Sequence, residues 1–129
     1  MAGIDQDEAE RLFDRRCRAW VAEDVEGYLD CFTEDVQLTV PGRDPVVGRA
    51  AYEQVVRTAY QWAAPIAFDI HHLAVDPGGA VLAEWTITVR RRDTGAEVSW
   101  RGMSTCGLRD GRIEWWREHW DPAQLRPKS

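Results

Sequence analysis

From Glu8 to Val21 apolar residues recur every three or four positions: Ala9, Leu12, Phe13, Cys17, Trp20 and Val21. This rhythm predicts an amphipathic first helix. Asp24 is placed to cap a short second helix whose inner face is Val25, Tyr28, Leu29 and Phe32. Glu34-Asp35 ends that pattern. Val36, Leu38 and Val40 then alternate with Gln37 and Thr39, which predicts a short strand stopped by Pro41-Gly42. Gly48 precedes a third helix, where Tyr52, Val55, Val56, Ala59, Tyr60 and Ala63 restore the three-four spacing until Pro65 closes it.

From Ile66 onward the period changes to two. Strands are predicted at 66–75, 80–92, 97–109 and 112–120, joined by turns at Asp76-Pro77-Gly78-Gly79, Asp93-Thr94-Gly95 and Arg109-Asp110-Gly111. Helices first and an antiparallel meander last is an α+β arrangement. A curved sheet wrapped over helices encloses a conical space, and the alternation names its inner face. Trp85, Ile87 and Val89 share one side of their strand, Trp100, Gly102, Ser104 and Cys106 one side of the next, and Trp116, Glu118 and Trp120 one side of the last.

Composition adds one unusual fact. Seven tryptophans stand in 129 residues, a length that fits a single domain spanning 1–129. So many indoles mean either a very aromatic core or a cavity walled with flat rings. A formal net charge of −6 disfavours nucleic-acid binding, which needs a positive field. Arg90-Arg91-Arg92, the one basic cluster, reads as a solvated hairpin end. Cys17, Cys31 and Cys106 follow no disulfide framework, and no signal peptide or membrane-length apolar run is evident, so a cytoplasmic location with free thiols is expected. The histidines and cysteines lie in no metal-ligand spacing, and adjacent His71-His72 would point to opposite faces of a strand. Neither a phosphate loop nor a dinucleotide fingerprint is present, so no cofactor is expected.

The stretch Trp20-Val21-Ala22-Glu23-Asp24-Val25-Glu26-Gly27-Tyr28-Leu29-Asp30-Cys31-Phe32-Thr33-Glu34-Asp35-Val36 resembles the signature of SnoaL-like proteins. In these an acidic residue opens the second helix, and Phe-x-x-Asp-Val leads into the first strand. Val47-Gly48-Arg49-Ala50-Ala51 resembles their Gly-initiated third helix, and the segment from Gly111 to Pro122 their final strand. The resemblance implies a nuclear-transport-factor-2-like cone, with three N-terminal helices packed on a curved, mainly antiparallel sheet, and a habit of homodimerisation. It implies no single activity, because this scaffold hosts isomerases, cyclases, epoxide hydrolases, dehydratases and non-enzymatic proteins. The three key positions of its ketosteroid isomerases (base, oxyanion tyrosine and oxyanion aspartic acid) correspond to Val40, Arg16 and Ser104, none of which matches. The epoxide-hydrolase set corresponds to Leu38, Val40, Trp85, Ile87 and Glu118, where only an acid survives. Polyketide cyclases of the SnoaL type, with one acid/base residue in an apolar cavity and no cofactor, remain compatible.

Physical chemistry singles out Glu118. Flanked by Trp116 and Trp120 on the inner face, it would be partly desolvated, which favours general acid/base use. The competing reading pairs it with Arg101 or Arg117 at the sheet rim. His72 would share a face with Phe68 and Ile70 and could assist, or simply fill the core. A bulge in the last strand would instead turn His119 and Asp121 inward. The expected lining comprises Trp85, Trp100, Trp116 and Trp120, with Trp20 from the first helix. Leu38, Val40, Tyr52, Val56, Ile87 and Ser104 complete it. A planar polycyclic or terpenoid ligand suits such walls, in a cofactor-independent cyclase, isomerase or dehydratase or in a non-catalytic binding module. Trp115, on the outer sheet face, is expected at a homodimer interface, and no nucleic-acid or membrane partner is expected.

Overall fold

The computed structural model describes residues 4–125. Three helices, α1 (Gln6–Val21), α2 (Val25–Leu29) and α3 (Arg49–Trp62), pack on one sheet. Its strands are β1 (Phe32–Thr39), β2 (Val46–Val47), β3 (Ala63–Val75), β4 (Val81–Arg91), β5 (Glu97–Arg109) and β6 (Arg112–His119). A 3-10 turn at Pro122–Leu125 follows. The order β2-β1-β6-β5-β4-β3 is antiparallel except where β1 runs parallel to β6, and the sheet curves without closing. The α+β cone is therefore the observed fold.

Local chemistry explains the boundaries. Asp5 and Asp24 cap α1 and α2, their carboxylates accepting the Glu8 and Gly27 N–H groups at 2.8 and 3.0 Å. Gly48 initiates α3 at φ +95°, a conformation that strains other residues, and its N–H donates to Val36 O at 2.7 Å. β1 begins at Phe32, four residues before the alternation of Val36, Leu38 and Val40 does. Phe32 is thus a strand residue and not part of the second helix. β3 likewise starts at Ala63, ahead of Pro65; as an edge strand it can seat a proline that donates no ladder bond. β2 is a two-residue bridge that the sequence pattern does not announce.

The core sits between the helices and the concave sheet face. On β4 burial alternates strictly, placing Val81, Ala83, Trp85, Ile87 and Val89 inside. Gly102, opposite Trp85, leaves room for it: a Cβ there would come within 2.7 Å of the indole. Cross-strand register sets Ser104 against Glu118 and Cys106 against Trp116. A bulge between Gly107 and Leu108 lies ahead of that register, so both Ile113 and Trp116 are buried, and His119 is exposed. Among the described residues no helix is long and apolar enough to cross a membrane.

Candidate functional site

The centre of the cone holds a charge. Arg16 lies on the inner stripe of α1, only 3% exposed. Its guanidinium carbon stands 4.2 Å from the ring centroid of Trp116, 4.9 Å from Phe68, 5.4 Å from Tyr28 and 5.9 Å from Phe13. The guanidinium is thus enclosed by aromatic rings. Its buried Nε and Nη1 have no hydrogen-bond partner among the described residues. Burial opposes its positive charge, the Glu118 carboxylate favours it, and a guanidinium stays protonated in either case.

Tyr28 extends this arrangement. Its hydroxyl and that of Tyr52 are 2.8 Å apart, both deeply buried. Burial pushes the ionisation of each phenol upward, so both stay neutral and can donate. Trp20 stacks against Tyr28 at 5.4 Å and against Tyr60 at 4.8 Å, and its buried indole N–H also lacks an acceptor among the described residues.

Glu118 stands at the other side of Trp116. One carboxylate oxygen accepts the Trp116 N–H at 2.9 Å, and the other accepts the Trp120 N–H at 2.7 Å. The i and i+2 spacing on β6 makes this possible, since alternate residues of a strand share a face. Trp120 packs on Trp100 at 5.9 Å, and Phe68 meets Trp85 edge-on at 5.9 Å. The Trp85 N–H donates to Ser104 Oγ at 3.1 Å in the buried interior. Glu118 is therefore fixed by indoles, and no ion pair to Arg101 or Arg117 is formed among the described residues.

Most of the residues expected to line a cavity pack together in the core. Leu38, Tyr52, Val56, Trp85, Ile87, Ser104 and Trp116 are buried, with Trp20, Trp100 and Trp120 half-buried against them. Val40 sits one residue beyond β1 and stands apart from the core cluster. His72 does not join them. A bulge at His71 advances β3 by one residue, so Leu73 faces the core and His72 turns outward, its side chain 84% exposed and 3.9 Å from Glu84. His71 also lies outside, with Nε2 2.7 Å from Thr86 Oγ1. His119 and Asp121 are exposed. Among the described residues no three His, Cys, Asp or Glu side chains are grouped to hold a metal ion.

A groove of about 400 Å³ opens between α1 and β3. Phe13, Cys17 and Phe68 line it, and two of these rings also flank Arg16, which places the guanidinium directly behind the groove wall. Glu10, Asp14 and Asp69 stand along the same groove.

A family model for the SnoaL-like domain matches residues 10–116. The chain belongs to the SnoaL-like family. No curated protein sequence matches it. A candidate isomerase from Bacillus subtilis is similar over 92% of this chain and 89% of its own, at 18% identity and a TM-score of 0.83. An LEH-like epoxide hydrolase from M. tuberculosis is similar over 92% and 86%, at 23% identity and a TM-score of 0.78. A nuclear-transport-factor-2-like protein of unknown function from Burkholderia pseudomallei is similar over 92% and 94%, at 16% identity and a TM-score of 0.79. At these identities the likeness establishes the fold. The resemblance to ketosteroid isomerases puts their oxyanion tyrosine at position 16, where this SnoaL-like chain carries a buried arginine.

Arg16 is a candidate functional residue absent from the lining expected from the sequence. The signal was available: position 16 falls between Phe13 and Trp20 at the spacing of the apolar stripe of α1. A charged residue inside such a stripe is either snorkelling or buried for a purpose.

Proposed function

We propose that this SnoaL-like chain takes a flat apolar molecule into its cone, against Trp85, Trp100, Trp116 and Trp120, and that Glu118 is its acid/base group. The chemistry that fits is cyclisation, isomerisation or dehydration of a substrate whose own acidic carbon supplies the nucleophile, without metal or organic cofactor. The observation that carries this reading is the carboxylate of Glu118, held at both oxygens by the Trp116 and Trp120 N–H groups at 2.9 and 2.7 Å. A carboxylate oriented by two fixed donors, beside a buried guanidinium and ringed by indoles, is preorganised for proton transfer. The α1–β3 groove, behind which Arg16 lies, supplies the approach.

A second reading, a binding module without turnover, is favoured by one observation. Both Glu118 oxygens are already engaged, and Val40 and Ser104 replace the acids of the ketosteroid isomerases. Titration of tryptophan fluorescence with polycyclic aromatics, steroids and terpenoids finds the ligand class, and Glu118→Gln then separates the readings. Lost turnover with retained binding supports acid/base catalysis, whereas unaltered turnover removes Glu118 from the chemistry. The protein is further proposed to work in the cytoplasm, consistent with three buried free cysteines, and as a homodimer through the outer sheet face, where Met103 is half-exposed. Sedimentation at micromolar concentration tests the latter; a monomer there would remove it.

A further inference from the structure

Hydrogen-bonding capacity inside the cone is unbalanced in one direction. Nε and Nη1 of Arg16 and Nε1 of Trp20 are buried donors without acceptors among the described residues. Of the Tyr28 and Tyr52 hydroxyls, one hydrogen is used in their mutual bond, and the accepting hydroxyl still carries its own. These groups are contiguous, because Tyr28 touches both the guanidinium at 5.4 Å and the Trp20 ring at 5.4 Å. The nearby acceptors serve other donors, Glu118 two indoles and Ser104 the Trp85 indole.

We propose that the molecule held in the cone is an apolar carboxylic acid, bound as its carboxylate with the oxygens on Arg16. This rests on the reading of the cone interior as the ligand site. A neutral donor at position 16 would suit a carbonyl that gains charge only during reaction. A guanidinium is charged at all times, and its burial without a contacting counter-ion is costly until an anion arrives. The guanidinium presents its donors as a planar fork that matches a carboxylate, and Tyr28 and Trp20 add donors at the flank. The surrounding rings match an apolar body and reject a small hydrated anion such as phosphate or chloride. Glu10, Asp14 and Asp69 along the groove repel an approaching carboxylate, but they are exposed and screened by salt. They slow entry and leave the well at Arg16 intact, so association should quicken as ionic strength rises.

The test uses three acids and their methyl esters: benzoate, 2-naphthoate and dehydroabietate. Each is titrated at pH 7 against the intact protein by tryptophan fluorescence and by thermal shift. At least one acid should bind saturably, about tenfold or more tighter than its ester, as a charge-assisted fork in a dry site implies. Arg16→Met should bring acid and ester to equal affinity while the ester still binds, and Arg16→Lys should keep part of the preference. Equal binding of acid and ester in the wild type, or a preference that survives Arg16→Met, would overturn the inference and leave the apolar-pocket reading standing. No saturable response to any acid or ester would overturn both. The wild-type acid-to-ester ratio decides the matter even if the variants fold poorly.

Discussion

Replacing Arg16 by methionine should make the ligand-free protein more stable, the reverse of what deletion of a buried, well-contacted side chain normally does. The side chain is 3% exposed, so its charge is almost wholly desolvated. Ion burial of this kind costs several kcal/mol after relaxation. Two buried nitrogens without acceptors, Nε and Nη1, add roughly 1–3 kcal/mol each. Against this stand the field of the Glu118 carboxylate and the ring faces, of which Trp116 at 4.2 Å and Phe68 at 4.9 Å are the nearest. A desolvated cation–π contact is worth about 2 kcal/mol, so two such contacts recover only part of the cost. Methionine nearly matches the arginine stem in length, keeps an unbranched χ1 on α1 and offers its sulfur to the same rings at about 0.3–1.5 kcal/mol per contact. The balance favours Arg16→Met by about 1–4 kcal/mol, the range found when buried ionic groups give way to apolar ones of similar volume. For a domain of this size that raises Tm by roughly 4–15 °C. Urea and thermal unfolding of both proteins, read by far-ultraviolet circular dichroism because tryptophan environments change, supply the comparison. Arg16→Ala serves as the control: it leaves a void and should lose most of the gain. An Arg16→Met protein less stable than wild type by more than about 2 kcal/mol would refute the reasoning, since it would mean that the guanidinium is fully compensated in the empty protein.

Three further outcomes are expected. Ser104→Ala strips the acceptor from the buried Trp85 N–H at 3.1 Å and should destabilise by about 1–3 kcal/mol in urea unfolding, with Ser104→Thr nearer wild type; a neutral Ser104→Ala would show that the bond carries nothing. The hydrogen-bonded Arg109 guanidinium, 2.6 Å away, holds the exposed Asp35 carboxyl down to about 2. Because the folded value lies below the usual one near 4, this contribution is complete above about pH 4 and is lost as pH falls toward 2. Carboxyl NMR should follow that titration and see it return to the ordinary range in Arg109→Gln; an unshifted Asp35 in the wild type would contradict it. Burial pushes the Cys17 thiol up to about 11 and the Cys106 thiol up to about 12, so neither should react with a disulfide reagent at pH 8 until the chain is unfolded. Rapid labelling of the native protein at pH 8 would contradict this.

The β4, β5 and β6 hairpins were legible because Gly beside Asp or Pro marks each turn and because the inner residues alternate without interruption, from Val81 to Val89 on β4. Where alternation broke, so did the reading. Counting by two through Phe68 and Ile70 carried His72 to the inner face, yet the extra residue at His71 sends it out to Glu84. A bulge leaves almost no trace in a single sequence, since both neighbouring faces still look locally regular. On β6 the bulge falls ahead of Trp116, and the register of Trp116, Glu118 and Trp120 downstream follows the sequence pattern. Phe32 continues the apolar rhythm of the second helix past Leu29, yet the C-cap at Asp30 stops the helix earlier. The position of Glu118 between two indoles could be read from i, i+2 spacing. Its two hydrogen bonds could not, because indole orientation depends on what packs behind each ring.

The relation between Arg16 and Glu118 is set by Trp116, which touches both. The cation lies over its ring face at 4.2 Å, and the carboxylate accepts from its N–H edge at 2.9 Å. Each contact matches the charge distribution of an indole, negative on the face and positive at the N–H, and each polarises the ring in the direction that strengthens the other. The interior therefore contains a positive and a negative group that sense one another without a direct bridge. A direct ion pair would have consumed the guanidinium fork and left nothing for a ligand. Separation by one indole keeps the pair electrostatically coupled while Nε and Nη1 of Arg16 keep no acceptor among the described residues, at a standing cost in stability to the empty protein. That cost is recovered only by a molecule able to bring an anion to Arg16 and an apolar surface to the surrounding rings. The same substitution, Arg16→Met, should therefore raise the stability of the empty protein and abolish its preference for the acid; a merely structural arginine could give the first effect but not the second.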